Sequence, residues 1–347
     1  MKRQELIKLF VQLGQTFGNI GSEKEWSGFD SGITESEHDA LNTLVARQMS
    51  YNGWFTKENV YQSFNAWSNL LTEEKLIAWT NNYTFSDNPK RVAVIMAGNI
   101  PLVGFHDFLS VILSGNVCLA KMSSDDKTLL PFLCDLMVQW NPEFKQHFEL
   151  SLGGLKNIEA VIATGSNNSQ LYFEQYFGKH PHIFRKNRTS IAVLNGKETK
   201  EELHALGHDI FDYFGLGCRN VSHLILPKGY ELSTFFEGIF DHNEVVLHKK
   251  YGNNYDYNKA IFLMNQTKLL DNNFVLLMES DDLHSQLAMV HYHFYETQDE
   301  LDRFIEEHRE EIQTIVGSGF SAFGSAQQPE LDDYADGVNT LEWLAKL

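Results

Sequence analysis

Apolar residues recur at helical spacing over 37–49 and 74–80, so the first eighty-odd residues predict a helical layer. Trp54, Phe55, Trp67 and Trp79 are expected to pack it. The pattern changes at Arg91. Residues 91–97 (R-V-A-V-I-M-A) form the short apolar run that a strand buried on both faces requires. The turn Gly98-Asn99-Ile100-Pro101 follows, then a helical stretch over 102–114 stopped by Gly115. Residues 117–122 predict a second strand, and Ser123 and Ser124 predict the cap of a helix running to Trp140. A third strand is expected over 157–163, with a helix opened by Thr164-Gly165-Ser166 and running through Phe177. Short strands are expected over 182–185 and 190–194.

A second block starts near Gly196. It reads as a helix over 199–214, a tight loop over 215–220, and strands over 221–226 and 288–295. Thr297-Gln298-Asp299-Glu300 has capping-box spacing and opens an amphipathic helix to about Ile312. The tail from Phe320 is polar until Leu341-Glu342-Trp343-Leu344. Alternating strands and helices predict an α/β fold: a Rossmann-type parallel sheet plus a second α/β domain. The expected division is 1–195, helical layer and dinucleotide-binding domain; 196–325, catalytic domain; and 326–347, a C-terminal return segment. Ligands of such sheets sit beyond the carboxyl ends of the strands. Those ends, residues 97–99, 121–123 and 164–166, are each polar or glycine-rich and compose one candidate site.

Composition narrows the function classes. With 347 residues, 43% of them hydrophobic, the chain can bury a sizeable core. A net charge of -18 argues against nucleic acid, whose phosphates need a basic face, and disfavours an anionic membrane surface. No apolar run reaches the length of a membrane span, and the first residues carry no secretory signal, so a cytoplasmic protein is expected. Three cysteines do not make a disulfide framework. The fourteen histidines show no H-E-x-x-H spacing and the chain has no C-x-x-C, so no metal is expected.

Four places could carry chemistry. Cys218 follows Gly215-Leu216-Gly217, where glycines allow a sharp turn and close substrate approach, and the neighbouring Arg219 favours thiolate. Cys118 and Cys134 fall inside a strand and a helix and read as buried hydrophobes. Asn99 fits two roles, a turn former or a donor to a developing oxyanion. Thr164, Gly165 and Ser166 fit either a helix cap or a pyrophosphate cradle at a helix N-terminus. Lys121 ends a strand, where it is either solvated or set against a ribose or phosphate. His106, beside Phe105 and Phe108, reads as structural, with a proton-donor role as the alternative.

In order along the chain, these motifs resemble the acyl-CoA reductase (LuxC-type) branch of the aldehyde dehydrogenase superfamily. Residues 96–102, M-A-G-N-I-P-L, resemble its W-N-F-P-L segment, which implies Asn99 as oxyanion-hole donor. Residues 114–121, S-G-N-V-C-L-A-K, resemble its G-N-x-x-x-x-K strand, which implies Lys121 as a cofactor contact. Ala163-Thr164-Gly165-Ser166 resembles its F-T-G-S turn beside the cofactor, and Gly217-Cys218-Arg219-Asn220 the loop bearing its nucleophile. The likeness runs from Arg91 to Tyr295, with an echo in residues 334–340.

Two departures refine what the likeness implies. Where aldehyde-oxidising members read E-L-G-G-K, this chain reads Val193-Leu194-Asn195-Gly196-Lys197, so the water-activating glutamate is absent unless Glu198, Glu201 or Glu202 replaces it. Where they read P-S-E after the lysine, this chain reads Met122-Ser123-Ser124, which relieves repulsion of a 2′-phosphate. The implied activity is NADPH-dependent reduction of an acyl thioester, of fatty acyl type, to an aldehyde through acyl-Cys218. NADPH contacts are assigned to Lys121, Ser123, Ser124, Thr164, Gly165 and Ser166. The implied partner is acyl-CoA or an acyl group handed over by an acyl-activating protein. The chain is short for the superfamily, which implies a trimmed oligomerisation arm and leaves a homo-oligomer open. The competing readings are an acyl-phosphate reductase, a cofactor-independent acyltransferase or thioesterase, and a non-catalytic binding protein.

Overall fold

The computed structural model describes residues 1–26, 28, 33–165 and 167–347, the side chain of Asn167 excepted. The chain divides into two compact units, Met1–Lys186 with Glu330–Leu347, and Asn187–Pro329. The boundary expected at 195 lies after Lys186, because Thr189–Val193 pairs with strands of the second sheet. The return segment correspondingly starts at Glu330 rather than 326.

The first unit opens with α1 (Arg3–Gly21), α2 (Glu35–Tyr51), α3 (Lys57–Leu70) and α4 (Glu73–Thr80). Each of α2, α3 and α4 begins at a threonine whose hydroxyl accepts a backbone N–H of the first turn. Phe10, Leu13, Phe17 and Ile20 line the buried stripe of α1, and Phe17 stacks on Phe64 of α3 at 4.5 Å between ring centres. Phe55 and Trp79 are buried in this layer, and Trp54 and Trp67 are partly buried against the same core.

The strand–helix alternation then runs β1 (Arg91–Ile95), α5 (Phe105–Leu113), β2 (Val117–Lys121), α6 (Leu129–Trp140), β3 (Phe148–Ser151), β4 (Ala160–Thr164), α7 (Asn167–Phe177) and β5 (His182–Arg185). The sheet order is β3-β2-β1-β4-β5 and every pair is parallel. The four N-terminal helices, with α5 and α6, cover one face in a single large core. On the other face Phe173 of α7 packs on Ala93, Val161 and Ala163.

In the first unit three elements start three or more residues later than expected. Helix α5 starts at Phe105 instead of Leu102, because Leu102 holds a left-handed φ of 58° in the preceding turn. Strand β4 starts at Ala160, since Asn157 has φ 56°. Helix α6 starts at Leu129, so Ser123 and Ser124 do not cap it. The Ser123 hydroxyl instead accepts the Asp125 N–H at 3.2 Å within a local turn.

The second unit contains β6 (Thr189–Val193), α8 (Lys200–Phe211), β7 (Val221–Pro227), α9 (Leu232–Gly238), α10 (Lys249–Met264), β8 (Leu270–Asp271), β9 (Leu276–Glu279), β10 (Met289–Tyr295), α11 (Gln298–Glu307) and β11 (Ile312–Gly317). Its sheet order is β11-β6-β7-β10-β9-β8, parallel except for β8 with β9. The helix expected to reach Ile312 ends at Glu307, and Ile312 instead begins β11, pairing with Thr189. At the start of α11 the Thr297 hydroxyl accepts the Glu300 N–H, but the Glu300 carboxylate takes the Glu296 N–H, so only half of the expected box forms.

The tail returns to the first unit and ends in α12 (Thr340–Ala345). Arg185 anchors it. Its guanidinium pairs with the buried carboxylate of Asp107 on α5 and donates to the Ala335 carbonyl and the Thr340 hydroxyl at 2.8 and 3.0 Å. Trp79 Nε1 donates to the Tyr334 hydroxyl at 2.8 Å. Among the described residues no helix is long and apolar enough to cross a membrane.

Candidate active site

In the first unit the sheet register gathers the candidate residues at one edge. Strand β1 lies between β2 and β4, with Ile95 opposite both Lys121 and Ala163. The segments that leave these strands, 96–99, 122–125 and the turn at Gly165, therefore emerge side by side. Asn99 is exposed, and Lys121, Ser123, Thr164 and Gly165 are half-buried. Ser124 is exposed, and Ser166 lies outside the described residues. A Cβ on Gly98 would sit 2.6 Å from the Ser123 hydroxyl and 2.7 Å from its Cβ, so glycine is what lets the β1 and β2 turns touch.

The Asn99 turn is tied down from three sides. Asn52 Nδ2, just past α2, donates to the Gly98 and Asp125 carbonyls, both at 3.3 Å. The Ser63 hydroxyl donates to the Pro101 carbonyl at 3.0 Å. The Leu102 N–H donates to Asp126 Oδ2 at 2.9 Å. The Leu129 N–H, in the first turn of α6, also acts on the Asp126 carboxylate, which takes the place expected of Ser123 and Ser124. Asp126 Oδ1 is buried with no hydrogen-bond partner. Burial outweighs the two N–H donors and pushes the carboxyl up to about 6. His106 is not at this edge. Its Nε2 bonds the Leu331 carbonyl at 2.9 Å, and its ring lies among Trp67, Trp79 and Tyr334.

In the second unit the sequence folds Cys218 into a locked turn. Helix α8 runs into a 3-10 turn in which Tyr213, Phe214 and Gly215 all take positive φ, at 53°, 59° and 77°. Left-handed backbone costs non-glycine residues roughly 1–2 kcal/mol each, so something must hold it. Asn220 does so. Its buried amide Nδ2 donates to the Asp209, Ile210 and Asp212 carbonyls at 3.1, 3.3 and 2.8 Å, and its Oδ1 accepts the Gly217 N–H at 2.8 Å. The Asn220 N–H closes the turn on the Gly217 carbonyl at 3.0 Å. The Ser190 hydroxyl fixes the Cys218 carbonyl at 3.0 Å. Cys218 is exposed on a backbone held on both sides, in the turn that leads into β7. Cys118 and Cys134 are buried and their thiols are pushed up by desolvation, as inert core cysteines.

Residues 23–226 match the family model for acyl-CoA reductase (LuxC), more than half of the chain. This chain belongs to the LuxC acyl-CoA reductase family. The family comprises aldehyde-forming oxidoreductases, and the matched span holds Asn99, Lys121, Thr164, Gly165 and Cys218.

The LuxC-family chain has no match among curated proteins. Its fold is similar to that of solved aldehyde dehydrogenases. The NAD-dependent enzyme of Sinorhizobium meliloti superposes with a TM-score of 0.63 at 12% identity, covering 91% of this chain and 70% of that one. The Mycobacterium tuberculosis enzyme complexed with NAD+ gives 0.61 at 12%, covering 88% and 71%. Escherichia coli lactaldehyde dehydrogenase gives 0.60 at 11%, covering 91% and 74%. At this identity the likeness speaks for the fold, aldehyde-dehydrogenase-like as the sequence motifs implied.

Two of the carboxylates considered as replacements for the missing base in the LuxC-family chain are engaged. Glu198 accepts the Asn195 and Gly196 N–H groups at 2.5 and 3.1 Å, and Glu202 accepts the Thr199 N–H at 2.8 Å in a true capping box on α8. Sequence reasoning missed Asp126, which carries no motif, and the holding role of Asn220, although Asn220 stood inside the quoted nucleophile motif.

Proposed function

We propose that this chain reduces an acyl thioester, acyl-CoA of fatty type or an acyl group passed on by an activating protein, to an aldehyde with NADPH. The observation that carries the proposal is the exposed Cys218 on a turn that Asn220 and Ser190 hold rigid. A nucleophile gains from pre-set geometry because the ordering is complete before substrate arrives.

The Cys218 thiolate adds to the thioester carbonyl carbon, and the oxyanion collapses with loss of the CoA thiolate, leaving acyl-Cys218. The backbone N–H of Cys218 is one oxyanion donor, and Asn99 is assigned as the second from its motif. Loss of such a donor costs roughly 3 kcal/mol of transition-state stabilisation. When bound, the nicotinamide supplies the hydride that turns acyl-Cys218 into a thiohemiacetal. Breaking its C–S bond frees the aldehyde and regenerates the Cys218 thiolate. Occupation of Glu198 and Glu202 by backbone donors keeps two nearby-sequence carboxylates from acting as hydrolytic bases, which favours reduction over hydrolysis.

The first unit offers a fitting place for the dinucleotide. The segments that leave β1, β2 and β4 emerge side by side, and Gly165 leads into the N-terminus of α7, where the helix dipole suits a pyrophosphate. Lys121, Ser123 and Ser124 are assigned to the ribose and its 2′-phosphate, and Thr164, Gly165 and Ser166 to the pyrophosphate. One observation favours NADH as the second reading. Asp125 is an exposed carboxylate in the Ser123 turn, and it would repel a 2′-phosphate.

The test incubates the full chain with a panel of acyl-CoAs, following NADPH or NADH loss and the intact mass of the protein. Wild type should gain the acyl mass and oxidise the cofactor, and Cys218→Ser should do neither, because an alcohol is a far weaker nucleophile at neutral pH. Substantial acyl-CoA-dependent oxidation by Cys218→Ser would remove Cys218 from its role. A higher kcat/KM with NADH would replace NADPH.

A further inference from the structure

We infer that His204, His208 and His242 form a binding site for one divalent transition-metal ion of the zinc class on the second unit. Helix α8 places His204 and His208 one turn apart on the same face. His242 comes from the 3-10 segment Phe240–Leu247. One ring nitrogen of each lies within 4.8 Å of the others, with ring centres 4.7 Å apart for His204 and His242, 4.8 Å for His208 and His242, and 5.5 Å for His204 and His208. The His242 ring seats directly on the α8 backbone. A Cβ on Gly207 would overlap two of its ring atoms, so the mid-helix glycine is what admits it. Such a glycine costs the helix about 1 kcal/mol relative to alanine.

Two of the three rings already bond a protein acceptor through one nitrogen, as metal-bound histidines do. His208 Nδ1 donates to Asp212 Oδ1 at 3.0 Å, which leaves Nε2 to bind. His242 Nε2 donates to the His204 carbonyl at 2.9 Å, which leaves Nδ1 to bind. Carboxylate and carbonyl partners of this kind fix the tautomer and raise ligand basicity. His204 Nδ1 is buried with no hydrogen-bond partner, and Asp241 Oδ2 lies 3.8 Å from it as a candidate fourth ligand in place of water. Three imidazoles select zinc, cobalt, nickel or copper, whereas magnesium and calcium take oxygen. Tetrahedral zinc holds its nitrogens about 3.3 Å apart, so the site closes by a small swing of the exposed His208.

The site also touches the nucleophile loop. Asp212 bonds His208 through its carboxylate, and through its carbonyl it accepts Asn220 Nδ2, the amide that closes the Cys218 turn. An ion here would clamp the end of α8 from which that turn is built.

The experiment uses the untagged full chain, stripped by chelation and dialysed, then titrated with Co2+ and with Zn2+ alone. One equivalent of Co2+ should bind with the visible spectrum of a low-coordinate nitrogen site and be displaced by Zn2+. Mg2+ should not compete. His208→Asn, at an exposed position, and His204→Gln should each weaken Co2+ binding at least tenfold. Asp212→Asn should weaken it by about tenfold or more, because the His208 ring loses the carboxylate that orients it. His284→Gln, outside the cluster, should bind as wild type. Less than one bound equivalent, an octahedral all-water spectrum, or wild-type affinity in His208→Asn would overturn the inference.

Discussion

Replacing Asp126 with asparagine isolates the electrostatics of the turn that carries Asn99. The carboxylate is buried, Oδ1 has no partner, and the carboxyl is pushed from 3.8 up to about 6. The native state thus binds this proton more tightly than the unfolded chain. Stability from Asp126 therefore rises as pH falls through about 6 and is complete only below the unfolded value near 3.8. A rise of this size corresponds to about 3 kcal/mol in all, of which about 1.4 kcal/mol is gained between pH 8 and pH 5. The amide introduced by Asp126→Asn keeps an oxygen for the Leu102 N–H but carries no titratable charge.

The assay is urea unfolding of the first unit. All six tryptophans, Trp26, Trp54, Trp67, Trp79, Trp140 and Trp343, lie in that unit, so tryptophan fluorescence follows it selectively. Burial lowers the pKa of His147, which has the opposite pH dependence, but the difference between variant and wild type cancels it. Asp126→Asn should exceed wild type at pH 8 by about 1–2 kcal/mol, and that advantage should shrink by about 1.4 kcal/mol at pH 5. A variant-minus-wild-type difference that is the same at both pH values, within about 0.3 kcal/mol, would refute the buried-carboxylate argument.

Asn220→Ala removes a buried amide with four side-chain hydrogen bonds and should cost the second unit about 2–4 kcal/mol, seen as faster amide exchange over 209–220. It should also slow acyl loading of Cys218 more than it weakens nucleotide binding. Gly98→Ala forces a Cβ against Ser123 and should destabilise the first unit by about 1–3 kcal/mol while raising KM for the nucleotide; unchanged KM and stability would contradict the contact. Asp107→Ala leaves Arg185 buried without its carboxylate and should cost about 3 kcal/mol or more, with limited proteolysis releasing the segment after Glu330 before other sites.

The parts of the molecule that are legible in the sequence are those written in neighbouring residues. Residues 91–95 and 117–121 are apolar runs ended by a turn, and they fold as β1 and β2 almost where the pattern puts them. Pairing partners are not written locally. The start of β11 continues the amphipathic pattern of α11 and so reads as the end of a helix; it is a strand because β6, far back in the chain, offers an open edge to Ile312–Gly317. The same division runs through the candidate site. Asn99 and Cys218 stand out because their turns have recognisable residues, whereas the groups that hold those turns lie elsewhere.

Asp126 reaches back across the β2 connection to Leu102, and no spacing rule marks it among the exposed acids around it. Asn220 serves carbonyls at the end of α8, a helix whose sequence pattern runs on to Phe214 through two residues of positive φ. His204 and His208 lie four residues apart with Ala205 where the H-E-x-x-H motif has glutamate, so no motif marks them, and the third imidazole joins them only because Gly207 opens the helix surface to His242. In each case a chemically ordinary residue gains its role from a contact that packing supplies. The motif gives the position of the proposed reacting group, and the supporting residue determines how firmly that group is held. For this reason Asp126 and Asn220 are expected to move stability and rate together, while a substitution at exposed Asn99 should move rate alone.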